Sequence, residues 1–142
     1  MRLFTDPRVA RWFNKETFTE EEIERILWQE GAHWDEHGFG PWTVRQDGEF
    51  AGRAGLQWTV VDDEPVVEVL WAIVPSMQKR GIATEAALLA IEWARQIGLP
   101  EVVAFTLRSN EASQRVMQKA GMTYVGMTTH ADLPHVLYRL KL

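Results

Sequence analysis

The apolar positions of the chain change period several times, and each change marks an element. Residues 66–74 (VVEVLWAIV) are almost continuously β-branched, aliphatic or aromatic between Pro65 and Pro75, which predicts a buried central strand. From Ala83 the apolar positions recur every three or four residues, at Ala83, Ala87, Leu88, Ile91 and Ala94, so one face of a helix follows. Gly98-Leu99-Pro100 closes it with a glycine and then a proline. Upstream, residues 42–45 and 49–61 read as two antiparallel strands around Gln46-Asp47-Gly48, where Asp-Gly provides positive-φ backbone. Gly52 and Gly55 inside the second strand predict a bend or a close backbone approach. Asp62-Asp63-Glu64-Pro65 is the next turn.

The flanking segments are helical at the start and mixed at the end. Residues 7–13 predict a short helix with Val9, Trp12 and Phe13 on its apolar side. Thr19-Glu-Glu-Glu22 has the capping-box pattern, opening a helix that turns Ile23, Ile26, Leu27 and Trp34 inward and stops at Gly38 and Gly40. Nothing before Asp6 is long enough for a good strand; residues 1–4 make a stub at most. Residues 102–107 predict a strand parallel to the central one, since a crossover helix separates them. Asn110 starts another helix, Gly121 ends it, and residues 123–129 and 136–142 form a last antiparallel pair joined by a loop from His130 to His135.

Bulk properties narrow the classes. The 142 residues make one domain, 1–142, and 46% apolar content with seven tryptophans excludes a disordered chain. A net charge of −5 argues against a nucleic-acid surface. With no cysteine there is no disulfide, catalytic thiol or thiolate metal site. No signal peptide or membrane-spanning apolar run is evident, so the sequence reads as soluble and cytoplasmic, without a membrane partner.

Three groups of residues carry candidate chemistry. Gln78-Lys79-Arg80-Gly81-Ile82-Ala83 joins the central strand to its helix. A helix N-terminus leaves backbone N–H groups unpaired and partly positive, which suits a phosphate; Gly81 permits close approach and Lys79 and Arg80 add cations. The same hexapeptide also reads as a plain strand–helix corner. Glu68 is a carboxylate among apolar strand neighbours, so it has either a partner such as Arg53 or a task as a base. His33 and His37 lie four apart on one helix face, a spacing that can ligate a metal, but Trp34 occupies the place of a metalloprotease glutamate and no third ligand is near, so no metal is assigned. An NTPase phosphate loop is excluded by spacing and by the missing Lys-Ser/Thr pair.

Gln-x-x-Gly-x-Ala at 78–83, after a strand, resembles the acetyl-CoA pyrophosphate loop of the GNAT N-acetyltransferases. Asn110-Glu-Ala-Ser113-Gln-Arg-Val-Met-Gln-Lys119-Ala-Gly121-Met matches a second signature, in the branch containing the ribosomal-protein N-terminal acetyltransferases. The resemblance implies a single α/β domain: a mixed, mostly antiparallel sheet with a central splay between two parallel strands, flanked by helices, here with the first edge strand short or missing. It implies acetyl-CoA as cosubstrate, held by Gln78, Lys79, Arg80, Gly81, Ile82 and Ala83. Backbone of Trp71, Ala72 and Ile73 would take the pantetheine arm, with the Asn110 side chain and Ser113 also near the cofactor. Glu68 becomes the general base and Ser113 a donor to the departing thiolate. Many relatives use a tyrosine further along, where this chain has Met117, so water or no acid at all also stays open.

The helix end and the Gly38–Trp42 loop would lie beside the acceptor, making His33, Trp34, His37, Phe39 and Trp42 candidate acceptor contacts; ordinary aromatic packing is the alternative for each. His130 and His135 lie in the other loop near the acceptor and rival Glu68 as bases. The expected activity is direct ternary-complex transfer of acetyl to a primary amine, on a small molecule or a protein N-terminus. The alternative is a non-catalytic CoA-binding or interaction module on a GNAT scaffold. A bare sheet edge would favour a homodimer.

Overall fold

The computed structural model describes residues 2–142. Six strands form one mixed sheet: β1 (Pro41–Gln46), β2 (Glu49–Val61), β3 (Glu64–Ile73), β4 (Glu101–Leu107), β5 (Thr123–His130) and β6 (Leu133–Lys141), in spatial order β1-β2-β3-β4-β6-β5. Every neighbouring pair is antiparallel except β3 and β4, which run parallel because helix α4 (Ile82–Gln96) carries the chain back across the sheet. This is the α/β architecture that the sequence implied.

The parallel pair is also where the sheet opens. β2 and β3 stay in register from Gly52↔Ile73 to Val61↔Glu64, and β4 and β6 from Glu101↔Lys141 to Leu107↔His135. Between β3 and β4 the one register pair is Glu68↔Val103. Beyond it the C-terminal ends diverge, which leaves the last residues of β3 to line a cleft.

Both faces of the sheet are covered. α4 and α5 (Glu111–Lys119) pack on one face, where Ala87, Ala90, Ile91, Ala94 and Met117 meet Leu56, Val67, Val69, Val102, Ala104, Val136 and Tyr138. Burying these side chains supplies most of the driving force for closing the sheet onto the helices, at roughly 25 cal/mol per Å² of apolar area. The small residues of α4 let it sit close to the strands.

α3 (Glu20–His37) meets Arg53 on the other face through Glu30 and reaches Trp93 of α4 through Trp34; it is opened by the predicted capping box, in which Thr19 accepts from the Glu22 N–H and the Glu22 carboxylate accepts from the Thr19 N–H. Its inward stripe runs Ile23, Ile26, Glu30 and His33, a helical spacing that is half polar. The polar members are matched: Glu30 pairs with Arg53 of β2, and His33 bonds the backbone of Trp58 and Phe39. Leu27 falls outside this stripe and is 49% exposed, contrary to the expectation that it points inward.

The N-terminal segment corrects another expectation. Residue 1 lies outside the described residues, and residues 2–5 form helix α1 (Arg2–Thr5) rather than a strand stub. Leu3 and Phe4 are buried there against Val9, Ala10, Phe18 and Ile23, with the Phe4 and Phe18 rings 5.1 Å apart, so this segment is more favourably packed as a helix than as an edge strand. α2 (Pro7–Ala10) follows, with Asp6 as N-cap, and passes into a 3-10 turn at Arg11–Phe13. Phe13 remains 46% exposed.

Three hairpins use two-residue turns in left-handed backbone. Asp47-Gly48 is the expected one; Asp62-Asp63 and Ala131-Asp132 contain no glycine. The last of these replaces the predicted loop from His130 to His135: both histidines belong to strands. Gly55 cannot carry a side chain, because a Cβ there would lie 2.5 Å from the Gly40 carbonyl oxygen, and one on Gly52 would collide with that of Ala72. Among the described residues no helix is long and apolar enough to cross a membrane.

Candidate active site

A cavity of about 830 Å³ runs through the fork between β3 and β4. Its two ends are built differently.

At one end lies the turn into α4. A short 3-10 turn (Pro75–Met77) follows β3, and Gln78 donates from Nε2 to the Ile73 carbonyl oxygen at 2.9 Å, tying the loop to the strand end. Lys79 and Gly81 both take positive φ, 63° and 78°, and Gly81 is the N-cap of α4. No side chain caps this helix, and the first intrahelical bond runs from the Glu85 N–H to the Gly81 carbonyl oxygen. The N–H groups of Ile82, Ala83 and Thr84 are therefore available to an anion. A Cβ on Gly81 would meet no atom within 4 Å, so the approach is open. Gln78, Lys79, Gly81, Ile82, Ala83, Trp71, Ala72, Ile73, Asn110 and Ser113 all line the cavity. Arg80, grouped with them in the sequence, is exposed and stands outside its wall.

Asn110 has a structural job as well: its Oδ1 accepts from the Ser113 N–H at 3.3 Å and its Nδ2 donates to Thr106 Oγ1 at 3.1 Å. It thereby fixes the start of α5 against β4, and Ser113 sits one turn in.

The other end is a sheet face. Register places Arg53, Gln57 and Thr59 of β2, Glu68 of β3, Phe105 of β4 and His135 of β6 on the same side, and all line the cavity with His130. Glu68 sits at the crotch of the fork. Its carboxylate accepts from Gln57 Nε2 at 3.1 Å, across a directly opposed pair. Desolvation by burial dominates its electrostatics and pushes its pKa up to about 7, against the smaller lowering influences of Gln57 and the Arg53 charge. Arg53 does not pair with Glu68; Glu30 takes it. Glu68 is thus a carboxyl group poised to exchange a proton near neutrality.

Opposite stand three rings: Phe105 to His130 at 4.6 Å, His130 to His135 at 5.4 Å and Phe105 to His135 at 5.9 Å. His135 is buried, with Nδ1 3.0 Å from the Leu133 carbonyl oxygen. Burial, and then the neighbouring His135, hold the His130 pKa below its usual value. An aromatic wall results. Arg11, Trp12, Phe13 and Asn14 supply the remaining side, with the Arg11 guanidinium 4.4 Å from the centre of the Trp12 ring.

The five residues expected beside the acceptor at the end of α3 are not brought there. His33 spends both ring nitrogens, Nδ1 on the Phe39 carbonyl oxygen (2.7 Å) and Nε2 as acceptor from the Trp58 N–H (2.9 Å). It continues the edge of β2 beyond the end of β1, and this use removes it as a metal ligand. His37 stacks on His33 at 4.5 Å. Trp34 donates to the Pro41 carbonyl oxygen at 2.6 Å and stacks on Trp93 of α4, which also packs against Phe39 and Trp42. None of the five lines the cavity. They form the aromatic seam that joins α3 to α4.

Gln57, Thr59, Phe105, Leu133 and residues 11–14 are among the cavity residues that the sequence does not single out. The alternation Arg53-x-Gly55-x-Gln57-x-Thr59 was the available signal, a non-apolar face on an otherwise apolar strand.

A forked sheet with an uncapped helix start at its open end makes an anion-accepting cleft, and similarity to known proteins supplies its class. The model of the acetyltransferase (GNAT) domain matches residues 1–123, and the chain belongs to that family. It is 29% identical over 134 residues to the FsC-acetyl coenzyme A-N(2)-transacetylase of Aspergillus fumigatus, covering 88% of this chain and 57% of that protein; the chain therefore spans little more than half of that relative. Among solved structures, an acetyltransferase from Agrobacterium tumefaciens superposes with a TM-score of 0.82 at 22% identity, over 99% of this chain and 81% of its own. A ribosomal-protein-alanine N-acetyltransferase from Brucella melitensis gives 0.74 at 19% identity, over 99% and 90%. At such identities the structures speak for the fold.

Proposed function

We infer that this protein transfers acetyl from acetyl-CoA directly to a primary amine, with Glu68 as the general base. The observation that carries the reading is Glu68 itself, a desolvated carboxyl at the fork between the two ends of the cleft. The names of two similar proteins, an N(2)-transacetylase and a ribosomal-protein-alanine N-acetyltransferase, support a nitrogen acceptor.

The cofactor end fits the pyrophosphate by the open N–H groups at the start of α4 and the clear approach over Gly81, with Lys79 adding positive charge. The end of β3, at Trp71–Ile73, would take the pantetheine arm as an added strand. Bound there, acetyl-CoA supplies the activated acetyl group, whose carbonyl carbon forms the new C–N bond while the C–S bond breaks.

Every other step belongs to the chain. An alkylammonium has no lone pair at neutral pH, so Glu68 takes one proton from it first. As the C–N bond forms, the nitrogen's second proton passes to Ser113 or a water, which in turn gives one proton to the departing sulfur and is left neutral. Glu68 then returns its proton to solvent. The apolar and aromatic walls keep the exchange local by excluding bulk water.

The test is Glu68→Gln, assayed for CoA release with acetyl-CoA and a panel of peptide and small-molecule amines. Turnover is expected to fall about a hundredfold to ten-thousandfold, with acetyl-CoA affinity retained. Unchanged turnover would remove the assignment of the base. Binding of acetyl-CoA without turnover of any amine by wild type would favour a CoA-binding module instead.

A further inference from the structure

The couple formed by Gln57 and Glu68 demands more than a passive hydrogen bond. The two residues stand directly opposite on β2 and β3, both face the cavity, and Gln57 Nε2 donates to Glu68 Oε2. Among the described residues Glu68 has no other hydrogen-bond partner, and the Gln57 amide oxygen has none. An ionised carboxylate only accepts, whereas a protonated carboxyl must also donate; the glutamine amide offers a donor on one side and an acceptor on the other. Protonating Glu68 on the shared oxygen would set donor against donor. A half-turn of the amide repairs the clash, so that Oε1 accepts from the carboxyl O–H.

The half-turn changes what the amide shows to the cavity. While Glu68 is ionised, Gln57 presents its carbonyl oxygen; once Glu68 is protonated, it presents its NH2. Other charged and titratable groups on this face do not relieve Glu68 of this dependence. Arg53 is bound to Glu30 of α3, Glu101 of β4 is paired with Arg139 of β6, and the His130 and His135 rings meet Phe105 tilted and edge-on across the cavity.

We propose that Gln57 is a positioning residue whose amide reverses with each proton that Glu68 gains or loses. In one orientation its oxygen joins the free oxygen of Glu68 to seat two of the three N–H donors of a primary ammonium. In the other its NH2 faces the nitrogen that has just given up its proton, and the ammonium seat no longer exists. The acceptor is therefore bound in its charged form and released from that hold as it becomes nucleophilic. This rests on the reading of Glu68 as the base.

The experiment is a pH titration by NMR of the whole protein, with 13C at the glutamate carboxyls and 15N at the glutamine side chains, and no acceptor present. The Glu68 and Gln57 signals are identified by their loss in Glu68→Gln and Gln57→Leu. In wild type the Gln57 NH2 signals are expected to move with the same midpoint as the Glu68 carboxyl, near neutrality. In Gln57→Leu the Glu68 midpoint is expected to stay within roughly half a pH unit of wild type, because a reversing amide bonds both forms, whereas loss of a fixed donor, which favours only the ionised form, would raise it by about one pH unit, a tenfold change. Gln57→Met preserves the chain length and gives the same readout where the leucine variant folds poorly.

Gln57 signals that stay flat while Glu68 titrates would overturn the proposal, as would a Glu68 midpoint raised by about one pH unit in both variants, the mark of a fixed donor. A purely structural role for Gln57 would leave its NH2 signals flat. Failure of the base assignment has a separate signature: Glu68→Gln would keep its turnover while the two wild-type signals still titrated together.

Discussion

The two ends of the cleft are made of different materials. The end at α4 is backbone: uncapped N–H groups, a glycine with open space above it and a strand terminus, with side chains as accessories. The end at the sheet face is side chain: Gln57 and Glu68 on neighbouring strands, and Phe105, His130 and His135 across from them. Backbone recognition depends on local conformation and tolerates many side chains. Side-chain recognition depends on which residues the sheet register brings together, and each residue there is individually editable.

The largest effect separating the two ends is expected from Gly81→Glu. A side chain at φ 78° strains the N-cap, and a carboxylate there repels the anion the helix start would hold. Acetyl-CoA affinity, read by calorimetry, is expected to fall at least about a hundredfold, near 2.7 kcal/mol. Glu68, untouched, should titrate as in wild type. A variant that binds normally would break the assignment of the cofactor to the backbone end.

Much of the backbone end was legible because its signals are local. Gly81 after a strand and before a helical repeat, Asn110 ahead of α5 and the Thr19–Glu22 box each act within a few residues, and each stands where the sequence placed it. Glu68 was legible for the opposite reason, as a charge in an apolar strand. Gln57 was not, since a glutamine in a strand means nothing until register sets it opposite Glu68. The His130 and His135 positions were drawn as a loop because Ala131-Asp132 takes left-handed backbone without a glycine to announce it. The family resemblance sets Trp34 and its neighbours beside the acceptor, while Trp93, on which Trp34, Phe39 and Trp42 pack, comes from a distant helix.

A second effect, spread over a pH window, lies in stability. Glu68 holds its proton up to about 7 in the folded state, against 4.5 as the ordinary value. Between those limits the native state binds the extra proton, so stability falls as pH rises through that window and the loss is complete above it. Glu68→Gln removes the slope: relative to wild type it should gain about 3 kcal/mol at most between pH 4 and pH 8, measured by urea unfolding at each pH. No relative gain would mean that the carboxyl is better solvated than its setting implies.

The smallest effect sharpens the acceptor side. His130→Ala removes one ring of the aromatic wall without touching α4 or the end of β3. The KM for an amine substrate is expected to rise several-fold, roughly 1 kcal/mol, with acetyl-CoA affinity unchanged. An effect on the cofactor instead would show that the two ends are not separable.

Gly52 gives the fold a hidden constraint. It belongs to β2 and does not line the cavity, yet any Cβ there would strike the Ala72 carbonyl on the strand end that would take the pantetheine arm. In a survey of tolerated substitutions this position would score like part of the active site. Its intolerance would be inherited from the neighbour it leaves room for.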